Sequence, residues 1–204
     1  MIKNKIKNIV LNTHNIHEKE LENNKLLGFW IYLMSDCIIF AIMFAVYSIY
    51  FSNVSIGLIP KYFFKLYFIL AETFILLLSS LSCGMMSIFL SKKTIKKCFL
   101  YLILTFILGL FFILMEMYEF YDLIINHFGP NKHAFFSVFF TLIGMHGIHI
   151  FCGLIWMLFL FYQLVKLNLT NTIRIRFLCF SLFWHFLDII WVCIFTFVYL
   201  NGVI

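Results

Sequence analysis

The stretch FWHFLDIIWVCIF, residues 183–195, decides the fold, because it is apolar enough to cross a membrane and still contains two ionisable side chains. His185 and Asp188 are three residues apart, so they share one face if the stretch is helical. Hydrocarbon solvates neither group, so both side chains need polar partners inside the protein. The stretch therefore predicts a transmembrane helix that packs against other helices.

The composition of the whole chain agrees with this prediction. Of the 204 residues, 64% are hydrophobic and 12% are charged, whereas soluble domains are about 45–50% apolar and about 25% charged. A water-soluble fold of this length cannot cover so much apolar surface. The composition therefore predicts an integral membrane protein and excludes a water-soluble fold.

Five apolar stretches are long enough to cross the bilayer as helices, which takes about 20 residues for about 30 Å of hydrocarbon. They lack the alternating pattern of a membrane β-barrel, and the connections between them are short. The sequence predicts an all-α bundle of five transmembrane helices in residues 28–204, preceded by a polar, basic tail in residues 1–27. The predicted spans are residues 28–51, 62–90, 98–121, 134–164 and 177–200.

The cations are distributed unevenly between the two sides of such a bundle. The tail, the second connection and the fourth connection share one side and contain most of the 15 Lys and Arg residues. By the positive-inside rule, we expect a cytoplasmic N-terminus and a periplasmic C-terminus. The net charge of +6 is thereby explained by topology, so no nucleic-acid partner is expected.

Every predicted helix carries at least one ionisable side chain within its apolar sequence. Insertion of such a group near the helix centre costs about 2.5 to 3.5 kcal/mol. We therefore expect these side chains to face neighbouring helices and to form one intramembrane polar network. The network residues are Asp36, Glu72, Glu116, Glu119, His146, His149, His185 and Asp188.

Glycine and tryptophan predict where the helices approach one another or lipid. Gly144 and Gly147 lie on the fourth helix beside its two histidines, and glycine permits the close approach of another backbone or a lipid tail. Trp184 and Trp191 are seven residues apart and share a face of the fifth helix. We expect both rings to pack against helices or acyl chains.

The residues alone leave several functions open. A structural network needs only mutual hydrogen bonding, and a proton or ion path could use the same groups. A redox-metal site would take His146, His149 and His185 as ligands, although the first two are three residues apart rather than four as in a zinc-binding helix. A small transporter is a further alternative, although no internal repeat is present and both prolines lie in predicted loops.

Five motifs lie in the five predicted spans: GFWIYLMSD (28–36), ETFILLLSS (72–80), EMYEF (116–120), GMHGIHI (144–150) and SLFWHFLDIIW (181–191). With these motifs the chain resembles subunit III of the haem–copper respiratory oxidases from about residue 28 to 202. The nearest branch is the bo-type ubiquinol oxidases of bacteria.

The resemblance implies a non-catalytic accessory subunit of a proton-pumping terminal ubiquinol oxidase, a complex that reduces oxygen to water. Such subunits support the assembly, stability and proton uptake of the catalytic subunit, and they bind phospholipid in a cleft between helices. The resemblance implies no catalytic centre and no cofactor in this chain. Haem and copper are expected in subunit I, with subunit II and a small subunit IV as further partners, in the bacterial inner membrane. Subunit III of a cytochrome c oxidase is the alternative.

The resemblance also assigns individual positions. The carboxylate of the first motif falls on Asp36, where many family members have glutamate, and the glutamate of the third motif falls on Glu119. The paired histidines fall on His146 and His149. The last motif falls on Trp184, His185, Phe186, Asp188 and Trp191. We expect these side chains to hold the helices together across a lipid-filled cleft.

Overall fold

A computed structural model describes the backbone of residues 2–53, 66–92, 94–126, 129–130, 134–167 and 170–200. Within these ranges it describes the side chains except those of residues 2–19, 21–22, 52–53 and 167. This part of the chain is helical and contains no strand.

Five α-helices follow one another along the chain, and the last continues directly into a π-helix. The α-helices are α1 (Ile2–Asn53), α2 (Leu66–Ser91), α3 (Ile95–Ile125), α4 (Ala134–Leu167) and α5 (Asn171–Ile194). The π-helix is Phe195–Leu200. The prediction of an all-α fold with five membrane-spanning helices is confirmed, because each α-helix contains a stretch long and apolar enough to cross a bilayer.

The spans are in the predicted places, but most of their ends differ. They run over Asn23–Phe51, Leu66–Ser91, Ile95–Ile125, Ala134–Lys166 and Asn171–Leu200. The helices α3 and α5 begin earlier than predicted, because helical hydrogen bonding continues through their basic first turns, where hydropathy is low. The start of the second predicted span, residues 62–65, lies outside the described residues.

The chain divides into two compact units, residues 1–37 and 38–204. The first unit is the N-terminal part of α1, whose backbone is helical from Ile2 and continues without interruption through residue 28. The division into a polar tail and a bundle at that residue stays a prediction. The second unit contains the end of α1 and all the other helices.

In the second unit, each of the helices α2 to α5 packs on two of the others: α2 on α3 and α5, and α4 on α3 and α5. The largest fully buried side chains are aromatic, with Phe112 on α3, Phe139 on α4 and both Trp184 and Trp191 on α5. The end of α1 joins this core through Tyr47, whose ring lies 5.5 Å from that of Phe135. Aromatic packing of this kind fixes the positions of the polar side chains described next.

Candidate functional site

Two tryptophans of α5 connect this helix to α2 through their indole N–H groups. Trp184 Nε1 donates a hydrogen bond to Ser79 Oγ at 2.7 Å, and Trp191 Nε1 donates to Thr73 Oγ1 at 3.1 Å. Both rings are buried. Each buried indole therefore packs as an apolar ring while its one donor is paired, which is the arrangement a buried tryptophan requires.

Two glycines on neighbouring helices make room for the ring of Trp184. A Cβ added to Gly109 on α3 would lie 2.9 Å from Trp184 Cη2, and a Cβ added to Gly153 on α4 would lie 3.0 Å from Trp184 Cζ3. Ordinary side chains do not fit at such distances. Trp184 thus contacts three other helices at once, which makes it a central packing residue of the bundle.

Three glutamates and a tyrosine form a second group, which we call the acidic cluster. Glu72 on α2 interacts electrostatically with Glu116 and Glu119 on α3, and Tyr199 of the π-helix interacts with all three. Tyr199 donates its hydroxyl hydrogen to Glu119 Oε2 at 3.0 Å. Among the described residues, neither Glu72 oxygen has a hydrogen-bond partner, and the same holds for Glu116 Oε1.

The acidic cluster has more acceptors than donors within the described chain. Three ionised carboxylates in so small an apolar space would repel one another and lack solvation. Carboxyls that share protons, or that bind buried water, avoid this cost. The arrangement can therefore hold protons, and it differs chemically from the one-to-one hydrogen bonds of the tryptophans.

Gly147 allows Glu116 to reach its position. A Cβ at residue 147 would lie 2.6 Å from Glu116 Oε1, whereas a Cβ at Gly144 would meet only Phe120, at 3.9 Å. The two glycines and the Glu116 side chain line a groove of about 320 Å³ between α3 and α4. The groove is otherwise apolar, with Ile113 and Phe151 among the residues that line it.

The two histidines of α4 lie in different surroundings. His146 is buried, stacks on Trp191 with ring centroids 5.2 Å apart, and has no hydrogen-bond partner for either ring nitrogen among the described residues. His149 Nδ1 donates to the Met145 carbonyl at 2.7 Å, and its ring lies 5.3 Å from that of Phe40. Among the side chains that the structure describes, no group of three or more His, Cys, Asp or Glu is arranged to hold a metal ion.

His185 and Asp188 lie between α2 and α5, one turn apart. His185 Nδ1 is 2.8 Å from Ser80 Oγ, a hydrogen-bond distance, and 3.8 Å from Asp188 Oδ2. The Asp188 side chain is buried, but that of His185 is 41% exposed. We expected both residues to face the interior, and the structure places only Asp188 there, whereas His185 lies partly exposed at the surface of the described bundle.

The remaining network residue, Asp36, belongs to the unit of residues 1–37, and 7% of it is exposed. The other seven predicted residues belong to the second unit. There the structure groups Glu72 with Glu116 and Glu119, and it separately pairs His185 with Asp188. The sequence did not indicate this division.

An apolar cleft separates the end of α1 from the end of α5. It has a volume of about 450 Å³. Its lining consists of Ala41, Phe44, Ala45, Tyr47, Ser48 and Phe51 from α1, Cys193 from α5 and Phe197 from the π-helix. A cleft of this shape and polarity fits an acyl chain, because its walls present hydrocarbon on both sides.

Sequence comparison identifies the family to which this arrangement belongs. A sequence model of the family described as cytochrome c oxidase subunit III matches residues 5–203. The chain belongs to this family. The predicted relationship is thereby confirmed, and the matched residues include the acidic cluster, the His185–Asp188 pair and the cleft.

Individual relatives within this family are named as subunits of quinol oxidases. Cytochrome bo(3) ubiquinol oxidase subunit 3 of Buchnera aphidicola subsp. Acyrthosiphon pisum is 61% identical and is covered, like this chain, over 100% of its length. The subunit of the same name from Pseudomonas aeruginosa is 46% identical, with 91% of this chain and 89% of the relative covered. Quinol oxidase subunit 3 of Bacillus subtilis is 33% identical, with 91% of both chains covered.

Several residues that position these subunit III side chains were missed by the sequence interpretation. Thr73 on α2 and Tyr199 at the chain end supply hydroxyls to Trp191 and Glu119. Hydroxyl residues recur along α2 at positions 73, 79, 80 and 82. This recurrence was the available signal that α2 forms hydrogen bonds with neighbouring helices. Ser82 extends it to α3, where its Oγ lies 2.6 Å from Thr105 Oγ1.

Proposed function

We propose that this chain is a non-catalytic accessory subunit of a terminal ubiquinol oxidase. The observation that carries the proposal is its similarity, over its full length and at 61% identity, to a relative named as subunit 3 of such an oxidase. The structure supports an accessory role, because its buried polar side chains mainly connect helices to one another. Oxygen reduction and quinol oxidation then belong to the partner subunits I and II, with a small subunit IV completing the complex.

Stability and assembly are the first part of this role. The hydrogen bonds from Trp184 and Trp191 to α2, and the contact of Ser82 with Thr105, join three helices in the middle of the bundle. Each bond of this kind contributes about 0.5–1.5 kcal/mol, somewhat less on average between membrane helices. Together with the aromatic core they make the bundle a rigid body on which the rest of the complex can assemble.

Lipid binding is the second part of the role. The proposal is that a phospholipid acyl chain occupies the cleft between α1 and the end of α5. The cleft's volume of about 450 Å³ and its apolar lining support this assignment. Replacement of Ala45 by Phe should fill the cleft, and lipid retained through purification should then decrease relative to the unchanged protein, as measured by mass spectrometry of the extracted complex.

Topology follows from the charges at the helix ends. The proposal places the N-terminus in the cytoplasm and the C-terminus in the periplasm of the bacterial inner membrane. Lys96 and Lys97 at the start of α3, and Arg174 and Arg176 at the start of α5, then lie on the cytoplasmic side. Reporter fusions after Lys92 and after Pro130 should give opposite results for cytoplasmic and periplasmic activity.

Support of proton uptake is the third part, and we propose that it involves Asp36 rather than the acidic cluster because of their depths in the membrane. Glu72 lies six residues from the start of α2, and Glu119 lies six residues from the end of α3, which is about 9 Å from these helix ends. In the proposed topology both ends are periplasmic. Asp36 lies near the middle of the span Asn23–Phe51. Asp36→Ala should therefore make the oxidase lose activity faster over repeated turnovers, whereas unchanged decay would assign Asp36 to packing.

No cofactor is proposed for this chain, and haem and copper are assigned to subunit I. The contacts of the three histidines support this proposal, because His146 stacks on Trp191, His149 Nδ1 bonds to the Met145 carbonyl and His185 Nδ1 lies 2.8 Å from Ser80 Oγ. The chain purified alone should show no haem absorption and no stoichiometric copper. A haem or copper spectrum in that preparation would contradict the accessory role and revive the redox-metal alternative.

Co-purification is the decisive experiment. An affinity-tagged chain in mild detergent should carry the other oxidase subunits, and the complex should oxidise ubiquinol. Cytochrome c is the second candidate donor, because the matching family is described as cytochrome c oxidase subunit III. A complex that oxidises reduced cytochrome c and not ubiquinol would establish that alternative, and a chain that carries no oxidase subunit would overturn both.

A further inference from the structure

His185 lies half-way along the last membrane span. It is 14 residues from Asn171 and 15 from Leu200, the two ends of that span, so its Cα is about 20 Å from either end. Its side chain is 41% exposed at this depth. A polar ring at the surface of an isolated subunit would face hydrocarbon there, which is unfavourable by several kcal/mol unless it is covered by a polar partner.

The surroundings of the ring leave one edge of it available. Nδ1 lies 2.8 Å from Ser80 Oγ, so this nitrogen is engaged within the chain. The edge with Cε1 and Nε2 lies over Gly84, 3.9 Å from where a Cβ would stand. Gly84 keeps this part of α2 shallow, and glycine at such a position permits another helix to approach closely.

Two further polar features lie between α2 and α5 beside this edge of the ring. Ser87 Oγ donates to Ser181 Oγ at 3.0 Å, one to two turns from His185 towards the start of α5. On the other side of His185, the Asp188 carboxyl is buried, with Oδ2 3.8 Å from His185 Nδ1. We call this set the α2–α5 surface: Ser80, Gly84, Ser87, Ser181, His185 and Asp188.

Lipid cannot form hydrogen bonds with the polar groups of this surface. Acyl chains have no hydrogen-bonding group, and phospholipid headgroups lie at the ends of the span, about 20 Å away. Only another protein segment can place a polar side chain at the centre of the bilayer, and there such a segment has to be a helix. We propose that a transmembrane helix of another oxidase subunit docks on the α2–α5 surface and hydrogen-bonds to His185. This proposal rests on the proposed membership of an oxidase complex.

The opposite side of the bundle lacks this requirement. The groove between α3 and α4 also contains an ionisable residue, but Glu116 there is only 3% exposed, because Gly147 allows its carboxyl to withdraw between the helices. The surface around that groove is apolar, so acyl chains can cover it without leaving a polar group unpaired. The two faces thus differ in whether an ionisable side chain remains uncovered at the bilayer centre.

Photo-crosslinking in the assembled complex tests the proposal. A photoreactive phenylalanine replaces Ile189, which is 63% exposed one turn from His185, or Ile148, which is 61% exposed on the α3–α4 groove and serves as the matched control. We expect position 189 to crosslink to another oxidase subunit and position 148 to crosslink to lipid. If the complex co-purifies but position 189 does not crosslink to another oxidase subunit, whether or not position 148 does, the docking surface is overturned. The proposed function then remains intact.

Two other results are equally informative. Crosslinking of position 189 to a second copy of this chain would overturn the assignment of the partner. If the chain carries no oxidase subunit at all, the proposed function fails before the docking surface is tested, and both proposals are rejected.

Substitution of His185 supplies a second measurement. His185→Phe keeps a ring and removes both nitrogens, and it should reduce the amount of this subunit retained by the complex in harsh detergent about three- to tenfold, the range expected for one hydrogen bond between membrane helices. Thr73→Val is the control, since it removes an α2–α5 hydrogen bond within the chain, the one from Trp191, and lies outside the α2–α5 surface; retention should change less than about twofold. Equal losses in the two variants would assign His185 to the fold and overturn its role in docking.

Discussion

The middle of the bundle and its end near Tyr199 contain polar groups of different kinds. In the middle, the indoles of Trp184 and Trp191 each donate one hydrogen bond to one hydroxyl of α2. At the end, the Tyr199 hydroxyl donates to one carboxyl, Glu119, while neither Glu72 oxygen nor Glu116 Oε1 has a hydrogen-bond partner among the described residues. Donors and acceptors are matched in the first region, and acceptors are in excess in the second.

The difference separates two uses of a buried polar group. Matched neutral pairs stabilise one arrangement of the helices, since breaking any pair leaves an unsatisfied group in an apolar interior. An excess of carboxyls contributes little to stability, but it leaves acceptors that protons or water can occupy. Substitutions in the middle should therefore be costly, and conservative substitutions in the acidic cluster should not.

Trp184→Ala should have the largest effect. It leaves a cavity between Gly109 and Gly153, which cannot fill the space, and it should reduce the free energy of unfolding by about 3–5 kcal/mol. The measurement is unfolding by a denaturing detergent in mixed micelles. Trp30, which is 47% exposed, is the matched control. An equal loss in Trp30→Ala would show that burial between the helices is not what makes Trp184 important.

Gly147→Ala should have the next largest effect. The added Cβ would lie 2.6 Å from Glu116 Oε1, so the carboxyl must move, at about 1–3 kcal/mol of stability. Gly144→Ala is the control, because its nearest neighbour would be at 3.9 Å. Adding Glu116→Ala should restore most of the stability lost in Gly147→Ala, and failure of that rescue would mean that helix packing rather than the carboxyl requires the glycine.

Thr73→Val compares single hydrogen bonds in the two regions. It leaves the buried Trp191 N–H without its acceptor, and we expect a loss of about 1–2 kcal/mol. Tyr199→Phe removes one hydroxyl from the acidic cluster and should cost about 0.6 kcal/mol, the average for a hydrogen bond between membrane helices. A larger loss in Tyr199→Phe than in Thr73→Val would reverse the comparison.

Glu72→Gln should have the smallest effect. It keeps the size of the side chain and removes an acid from a group of three, so the free energy of unfolding should change by less than about 0.5 kcal/mol. Infrared difference spectra of the complex should lose part of the protonated-carboxyl signal at the same time. A loss of stability as large as that of Thr73→Val would show that the cluster is paired one to one after all.

The sequence predicted the five helices because hydrophobic length is a local property of the chain. It could not predict where α3 and α5 begin, since backbone hydrogen bonds continue where hydropathy ends. The i,i+3 spacing placed His185 and Asp188 on one face, but it did not show that burial falls from Asp188 to His185 within one turn. Gly109 and Gly153 gave no signal, because a glycine in a helix becomes informative only when the ring that it accommodates is known.

The π-helix at Phe195–Leu200 has a consequence for the register at the end of the last span. Residues in a π-helix turn through a smaller angle than in an α-helix, so residues 195–200 point in different directions from those that an unbroken α5 would give them. Tyr199 reaches Glu119 from this wider coil. Deleting one residue there would leave the hydrophobicity of the span unchanged, yet it would rotate the phenol away from its acceptor, so this segment tolerates substitution better than a change in length.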